Sequence, residues 1–396
     1  MSPHTTVNSN ASALTAGPRP SPALAPVIQE LVSLASRGLV PMFDQEKQLF
    51  CHRLVSTGQG LVREGLSPRY TIMTLLGLRE LELAGIESPF DTQSIYKNFI
   101  DDKAWIEGIG DLGLLIWLTA TFDPERLGSV LAAFDCDSAS TRYSDARQHR
   151  TMELAWFLAG LAHAAEAAPE LTTSLTDLSV ATYHKIEENQ GESGFFGHMG
   201  VKQSASGRLR GRIGSFADQV YPIYAISKFA QVFDIEDPLG PALECATAIC
   251  HAQGQRGQWW WLYDARAGRV SSRYPVYSVH QHGMAPMALL ALERVAGQHF
   301  TDYINRGLSW LSAANGLSVD MVDRAQNVIW RCILPISKHE KYREMVLNFV
   351  RYTNLKNQEL PANALRICLE QRPYEFGWLL FAFARNAGTA FSRESV

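Results

Sequence analysis

Two loops in this chain repeat one another. Gln190-Gly-Glu-Ser-Gly194-Phe-Phe196 and Gln253-Gly-Gln-Arg-Gly257-Gln-Trp259 both read Gln-x3-Gly-x-aromatic, and they lie 63 residues apart. Each follows a helical stretch and leads through a polar loop into another helix. Matching phrases, Tyr221-Pro-Ile-Tyr224 and Tyr274-Pro-Val-Tyr277, sit where those next helices open, 53 residues apart. Self-similarity at a period of roughly 50–65 residues is the mark of stacked supersecondary units, not of separate domains. A length of 396 residues would otherwise suggest two or three domains. The repeat predicts one domain over 27–390.

The pattern between the loops is helical, and convincing alternating strands are not seen. Helices are expected over Tyr70–Ala84, Asp111–Thr121, Met152–Ala168, Leu175–Asn189, Phe216–Phe233, Pro241–Gln253, Met284–Val295, Tyr303–Ala314, Val328–Tyr352 and Tyr374–Asn386. Short connections make them five or six antiparallel hairpins. Met1–Pro26 is rich in Ser, Thr, Asn, Ala and Pro, cannot bury an apolar face, and is expected to be a disordered tail. It lacks the basic start and apolar run of a secretory signal, and no stretch is apolar for long enough to span a membrane.

A net charge of −4 argues against nucleic acid as a partner. The six cysteines, Cys51, Cys136, Cys245, Cys250, Cys332 and Cys368, are scattered without a CxxC pair. They read as free thiols of a reducing, cytoplasmic compartment. Cys51-His52 and Asp135-Cys136-Asp137 have no second ligand pair at zinc spacing, so neither a metal nor another cofactor is expected.

Gln-x3-Gly-x-Trp at a helix end resembles the QW repeat of terpenoid cyclases and protein prenyltransferases. There the Gln caps a helix end and the aromatic ring packs on the next repeat. The resemblance implies an all-α fold, an (α/α) toroid with inner and outer helix rings around a funnel. Six-hairpin glycosidases, polysaccharide lyases and sugar epimerases share that architecture. The cyclase acid motif, Asp-x-Asp-Asp, is matched only as Asp135-Cys-Asp137-Ser138, which leaves Asp137 as the candidate acid or as a turn residue. The metal-diphosphate and zinc motifs of the family are not matched.

In such a toroid the loops before the inner helices line the funnel. The richest is Gly257–Met284, with Trp260, Trp261, Arg273, Tyr274, Tyr277, His280 and His282. Three successive Trp rings cannot all face the core, and an exposed ring suits the apolar face of a sugar or an isoprenoid. Tyr277, His280 and His282 are candidate acids and bases, since His titrates near neutral pH. Arg210 and Arg212 lie in a second such loop, Gly207–Gly214, within a segment Glu192–Tyr224 that also holds Asp218 and Tyr221; their forks suit a carboxylate or phosphate. Val328-Ile-Trp330-Arg331 and Gln371-Arg372-Pro-Tyr374-Glu375 are each expected to open a further helix, and Glu64-Gly-Leu-Ser67-Pro-Arg69-Tyr70 opens one in the same style. Asp218 and Glu375 are the carboxylates a hydrolase would need. The residues thus predict an enzyme acting on a small molecule or glycan, foremost an acidic glycan, by epimerase, lyase or hydrolase chemistry. A terpenoid cyclase and a non-catalytic binding toroid are the alternatives.

Overall fold

The computed structural model describes residues 24–101, 104–133, 150–199, 211–336 and 358–391. Its helices are α1 (Ala25–Leu39), α2 (Pro68–Leu83), α3 (Thr92–Asp101), α4 (Ile109–Phe122), α5 (Leu127–Ala133) and α6 (Thr151–Ala167). They continue with α7 (Thr172–Glu187), α8 (Ala217–Val232), α9 (Gly240–His251), α10 (Ala285–Ala296), α11 (Thr301–Trp310) and α12 (Pro373–Phe391). A π-helical turn, His280–Met284, leads into α10.

Six of these helices close a ring. α2 packs on α4, α4 on α6, α6 on α8, α8 on α10, α10 on α12, and α12 returns to α2. The other six lie outside: α1 on α12, α3 and α5 on α4, α7 on α6, α9 on α8, and α11 on α10 and the π turn. Burial follows this division. α4 is buried from Ile109 through Ala120 without a break, as befits a helix enclosed on all sides. α11 buries only Ile304, Gly307, Leu308 and Trp310. Backbones approach closely where glycines face each other. A Cβ on Gly113 would lie 2.4 Å from the Phe157 backbone, and one on Gly77 would lie 2.1 Å from the Gly377 carbonyl oxygen.

The repeated loops hold the two rings together in the same way each time. Gln190 Nε2 donates to the carbonyls of Gly194 and of Pro241 in the first turn of α9, both at 2.9 Å. Gln253 Nε2 donates to Gly257 (2.8 Å) and to Tyr303 in the first turn of α11 (2.9 Å). Gly194 and Gly257 both have left-handed φ, +82° and +86°, which a side chain would strain. Phe196 and Trp259 are fully buried. Their main-chain N–H groups donate to Gln219 and Gln281 at the starts of the next inner elements.

The expected helices from Tyr70 to Ala314 recur within a few residues, with three differences. First, α1, α3 and α5 were not foreseen, and α1 already includes Ala25 and Pro26; residues 1–23 of the expected tail lie outside the described residues. Second, strands are present. β1 (Phe43–Asp44), β2 (Leu49–Thr57) and β3 (Gly60–Leu66) form a sheet that β12 (Glu370–Gln371) joins along β2. β3 is largely exposed, so main-chain pairing holds it and it carries no alternating pattern. β4 (Ile213–Ser215), β5 (Leu262–Asp264) and β6 (Arg269–Ser272) form another sheet; β7 (Val276–Tyr277) pairs elsewhere. Third, Val328-Ile-Trp330-Arg331 does not open a helix. After β8 (Val322–Asp323) come β9 (Val328–Ile329) and β10 (Cys332–Pro335), and β10 runs between β7 and β11 (Leu365–Cys368). A short apolar run fits a buried strand as well as a helix; residues 337–357 of the expected helix lie outside the described residues.

The two Tyr-Pro phrases are likewise not equivalent. Tyr221-Pro222 lies within α8, whereas Tyr274-Pro275 precedes β7. Asp218-Gln219 corresponds to His280-Gln281, 62 residues on, in step with the Gln repeat.

Candidate active site

A cavity of about 330 Å³ opens at the end of the ring where the inner helices begin. α2 contributes Arg69, Tyr70 and Met73; α6 contributes Met152 and Trp156; α8 contributes Ala217 and Tyr221. Ser215, Phe216, Trp261, Tyr277, His280, Met284, Arg331 and Tyr374 complete the wall. A second cavity of about 540 Å³ lies at the opposite end, among the C-terminal turns of the same helices. Rings of Trp117, Tyr224, Trp378 and Phe381 pack together between the two, with centroids 5.1–5.8 Å apart.

The first cavity shows guanidinium groups on its wall and carboxylates behind them. Arg69 pairs with the buried Asp111, Nη2 to Oδ2 at 2.9 Å, and Asp111 also accepts from the Glu107 N–H. Arg331 pairs with the buried Glu375 at 3.0 Å and lies over the Tyr277 ring, 5.0 Å from its centroid. Glu375 also accepts from Gln371 Nε2 (3.0 Å) and the Arg372 N–H (3.3 Å). Burial pushes its carboxyl up to about 7 against the pull of Arg331 and Arg372. Asp218 accepts from the N–H and Oγ of Ser215 (both 2.8 Å) and the Met152 N–H (3.2 Å), with His198 3.1 Å away. Burial raises its pKa, but His198 and these hydrogen bonds prevail and hold it below the usual range. Asp218 and Glu375 therefore support the wall from behind it. Among the described residues no carboxylate lines this cavity.

Tyr277 and His280 face the same space, with ring centroids 5.1 Å apart. Burial pushes the Tyr277 phenol up to about 12 and pulls the His280 imidazole down to about 3. At neutral pH the first is a proton donor and the second is uncharged. His280 hydrogen-bonds to the Trp259 backbone through its ring, while Nδ1 has no hydrogen-bond partner among the described residues. In the neutral tautomer that donates to Trp259, Nδ1 carries a free lone pair. The aromatic wall is locked from outside. Trp378 Nε1 donates to Tyr221 Oη at 2.9 Å, and Trp156 meets Tyr221 edge to face at 5.3 Å. Tyr374 and Tyr70 pack at 4.6 Å, and Arg372 donates to Tyr70 Oη at 2.9 Å.

Six sequence candidates thus converge on the cavity: Tyr221, Trp261, Tyr277, His280, Arg331 and Tyr374. The others do not line it. Trp260 is buried, its Nε1 donates to the Ala252 carbonyl at 2.9 Å, and Arg273 covers its ring at 4.7 Å. Arg273 also meets Glu359 at 3.4 Å, and Tyr274 Oη accepts from the Leu360 N–H. Arg212 pairs with Asp264 at 3.4 Å. His282 is fully buried, and burial pulls it down to about 3. Arg372 acts on the cavity through Tyr70. Asp137 and Arg210 lie outside the described residues. Arg69, Tyr70 and Trp156 join the site although the sequence did not single them out as site residues. Arg69-Tyr70 carried a signal, because it opens α2 in the style of Tyr374-Glu375 in α12. Trp156 sits inside an apolar helix and carried none. Among the described residues no three His, Cys, Asp or Glu converge as a metal site, and no helix is long and apolar enough to cross a membrane.

No protein-family model matches the sequence, and no curated protein matches it either. Solved structures do match in shape. A sugar epimerase from a ruminal bacterium aligns with a TM-score of 0.61 at 10% identity, over 91% of this chain and 98% of its own. A possible member of the GH105 family from Salmonella enterica serovar Paratyphi A aligns at 0.57 and 11%, over 98% and 100%. An unsaturated glucuronyl hydrolase specific for heparin aligns at 0.54 and 13%, over 94% and 97%. The fold is an α/α toroid. In this toroid the cavity occupies the mouth of the funnel on the side where the inner helices start.

Proposed function

We propose that this cavity is the active site of an enzyme that acts on a carboxylate-bearing sugar by moving a proton, as a lyase or epimerase does. One observation carries this reading. Arg69 and Arg331 stand on a wall otherwise made of aromatic, Ser, Ala and Met side chains and His280, with no carboxylate among the described lining residues. Guanidinium groups bind a carboxylate by paired hydrogen bonds and stabilise the negative charge that develops when the adjacent carbon loses its proton. We assign the proton transfer to His280 and Tyr277, which share that wall. Trp156, Trp261 and Tyr374 offer apolar faces to the sugar ring. Hydrolysis by two carboxylates needs both on the cavity wall, about 5–9.5 Å apart; Asp218 and Glu375 are each sealed behind it. The folds of a sugar epimerase and a glucuronyl hydrolase support a sugar as substrate.

The test is turnover in deuterium oxide. Uronic-acid oligosaccharides incubated with an epimerase gain deuterium at the carbon next to the carboxylate, read by mass spectrometry; with a lyase that proton passes to the base, the bond from the neighbouring carbon to the glycosidic oxygen breaks, and an unsaturated uronate appears, read by its ultraviolet absorbance. His280→Ala and Tyr277→Phe each slow either reaction by about 10²–10⁴-fold. Hydrolysis without exchange, or equal turnover of neutral glycans, would overturn the reading.

A further inference from the structure

β10 is the centre of a three-stranded antiparallel sheet between β7 and β11. Its register sets Cys332 opposite Tyr277 on one side and opposite Cys368 on the other. Directly opposed residues project to the same face. Tyr277, Cys332 and Cys368 therefore form one row across the sheet, beginning at the cavity wall. Opposed Cα atoms in antiparallel strands lie about 4.5–5.5 Å apart, within the roughly 4.4–6.8 Å that a disulfide spans. Both thiols are free and hydrogen-bond to each other.

The two are unequal. Cys332 is buried and Cys368 is partly exposed. The hydrogen bond from Cys332 draws the Cys368 thiol below its ordinary value, and Arg331 acts in the same direction. The same hydrogen bond, together with burial, pushes Cys332 well up. Cys51, Cys245 and Cys250 are all buried and raised by burial, Cys51 to about 11, which makes them poor nucleophiles. A partly exposed thiol whose ionisation is eased by a neighbouring, less acidic thiol is the arrangement that oxidants select.

We propose that Cys332 and Cys368 are a reversible redox modification site, closed to a disulfide by a hydroperoxide or a low-molecular-weight disulfide. With a hydroperoxide, the Cys368 thiolate forms an S–O bond, the O–O bond breaks, and the departing oxygen leaves as an alcohol or water. Cys332 then attacks the sulfenic sulfur, the S–O bond breaks, and the Cys332 proton leaves with that oxygen as water. Two electrons pass from the sulfurs to the peroxide. With a small disulfide, Cys368 displaces one thiolate and Cys332 displaces the second. A dithiol reductant reverses either route. Closure staples β10 to β11 immediately beside Arg331 and Tyr277.

The experiment uses the full chain, reduced, then treated while folded with hydrogen peroxide or oxidised glutathione. Thiols are alkylated after denaturation and counted by intact mass. Two of the six cysteines are expected to escape alkylation, to return with dithiothreitol, and to map as one peptide joining Cys332 to Cys368. In Cys332→Ser, oxidised glutathione is expected to leave a stable mixed disulfide on Cys368; in Cys368→Ser, Cys332 is expected to stay alkylatable. Circular dichroism checks that both variants fold, and the alanine variant replaces any that does not. A bridge between other cysteines, oxygen addition at Cys368 without a bridge, or six alkylated thiols in the treated wild type would overturn the proposal.

Discussion

Gly113→Ala tests whether the inner ring depends on backbone contact. The new Cβ would lie 2.4 Å from Phe157 Cα and 2.5 Å from the Phe157 nitrogen and the Trp156 carbonyl oxygen. All three are main-chain atoms, so no rotamer change relieves them. Side-chain Cβ atoms essentially never come under 3.0 Å and are uncommon under 3.4 Å, so α4 and α6 must separate by about 0.6–1 Å. Overpacking of this kind costs about 1–3 kcal/mol, and replacing Gly by Ala in a helix returns at most about 1 kcal/mol. A net loss of about 1–2 kcal/mol lowers Tm by about 1–2.5 °C in a chain of 396 residues. Gly128→Ala in α5 is the control, because nothing lies within 4 Å of its added Cβ. That change is expected to raise Tm slightly, by up to about 1 kcal/mol of stability. Scanning calorimetry of both variants gives opposite signs. Because α6 carries Met152 and Trp156, Gly113→Ala also weakens any ligand of the cavity, read by titration calorimetry. A Tm for Gly113→Ala equal to or above that of Gly128→Ala would refute the backbone-contact argument.

Arg331→Met leaves Glu375 without its partner; its carboxyl then takes up a proton at neutral pH, and the expected cost in urea unfolding is about 1–3 kcal/mol, of which the double change Arg331→Met/Glu375→Gln recovers a part. Because Glu375 titrates at about 7 when folded and at 4.5 when free, the folded chain holds a proton that the unfolded chain has lost. Its contribution to stability is complete below about pH 4.5 and disappears as pH rises through 7; Glu375→Gln is expected to flatten that slope in unfolding curves between pH 5 and 8. Gln190→Ala and Gln253→Ala each leave carbonyls of two elements unpaired and are expected to cost about 1–3 kcal/mol apiece by the same measurement.

The inner ring was legible because its helices are long, apolar and periodic, and because the Gln-x3-Gly-x-aromatic loops recur in step with it. What escaped was held by something other than side-chain pattern. β2 and β3 are fixed by a hairpin ladder, and β10 is an apolar run whose period does not distinguish strand from helix. At the site, the types and neighbourhood were readable, but the direction of each side chain was not. A carboxylate at a helix start can face a ligand or satisfy nearby N–H groups. Asp218 and Glu375 take hydrogen bonds from Ser215 and Arg372, so their position in the first turn of a helix did not tell which side of the wall they face. The adjacent Trp260 and Trp261 split between core and cavity, which sequence adjacency could not apportion.

The ring is closed by its last helix. α12 docks against α2 through Gly77 and Gly377, and Arg372 and Arg385 reach Tyr70 and Glu80 across sequence separations of 302 and 305. On a ribosome, everything up to the fifth inner helix emerges before the sixth exists. The growing chain therefore carries an open arc whose apolar flanks on α2 and α10 stay uncovered until α12 has emerged. Contacts so distant in sequence form slowly, and exposed flanks of this kind invite aggregation or capture by chaperones. Tyr374 and the Glu375 partner of Arg331 arrive with that last helix. A nascent chain thus completes the cavity only when α12 docks, and a stop codon before that helix removes Tyr374, the carboxylate partner of Arg331 and the closure of the ring together.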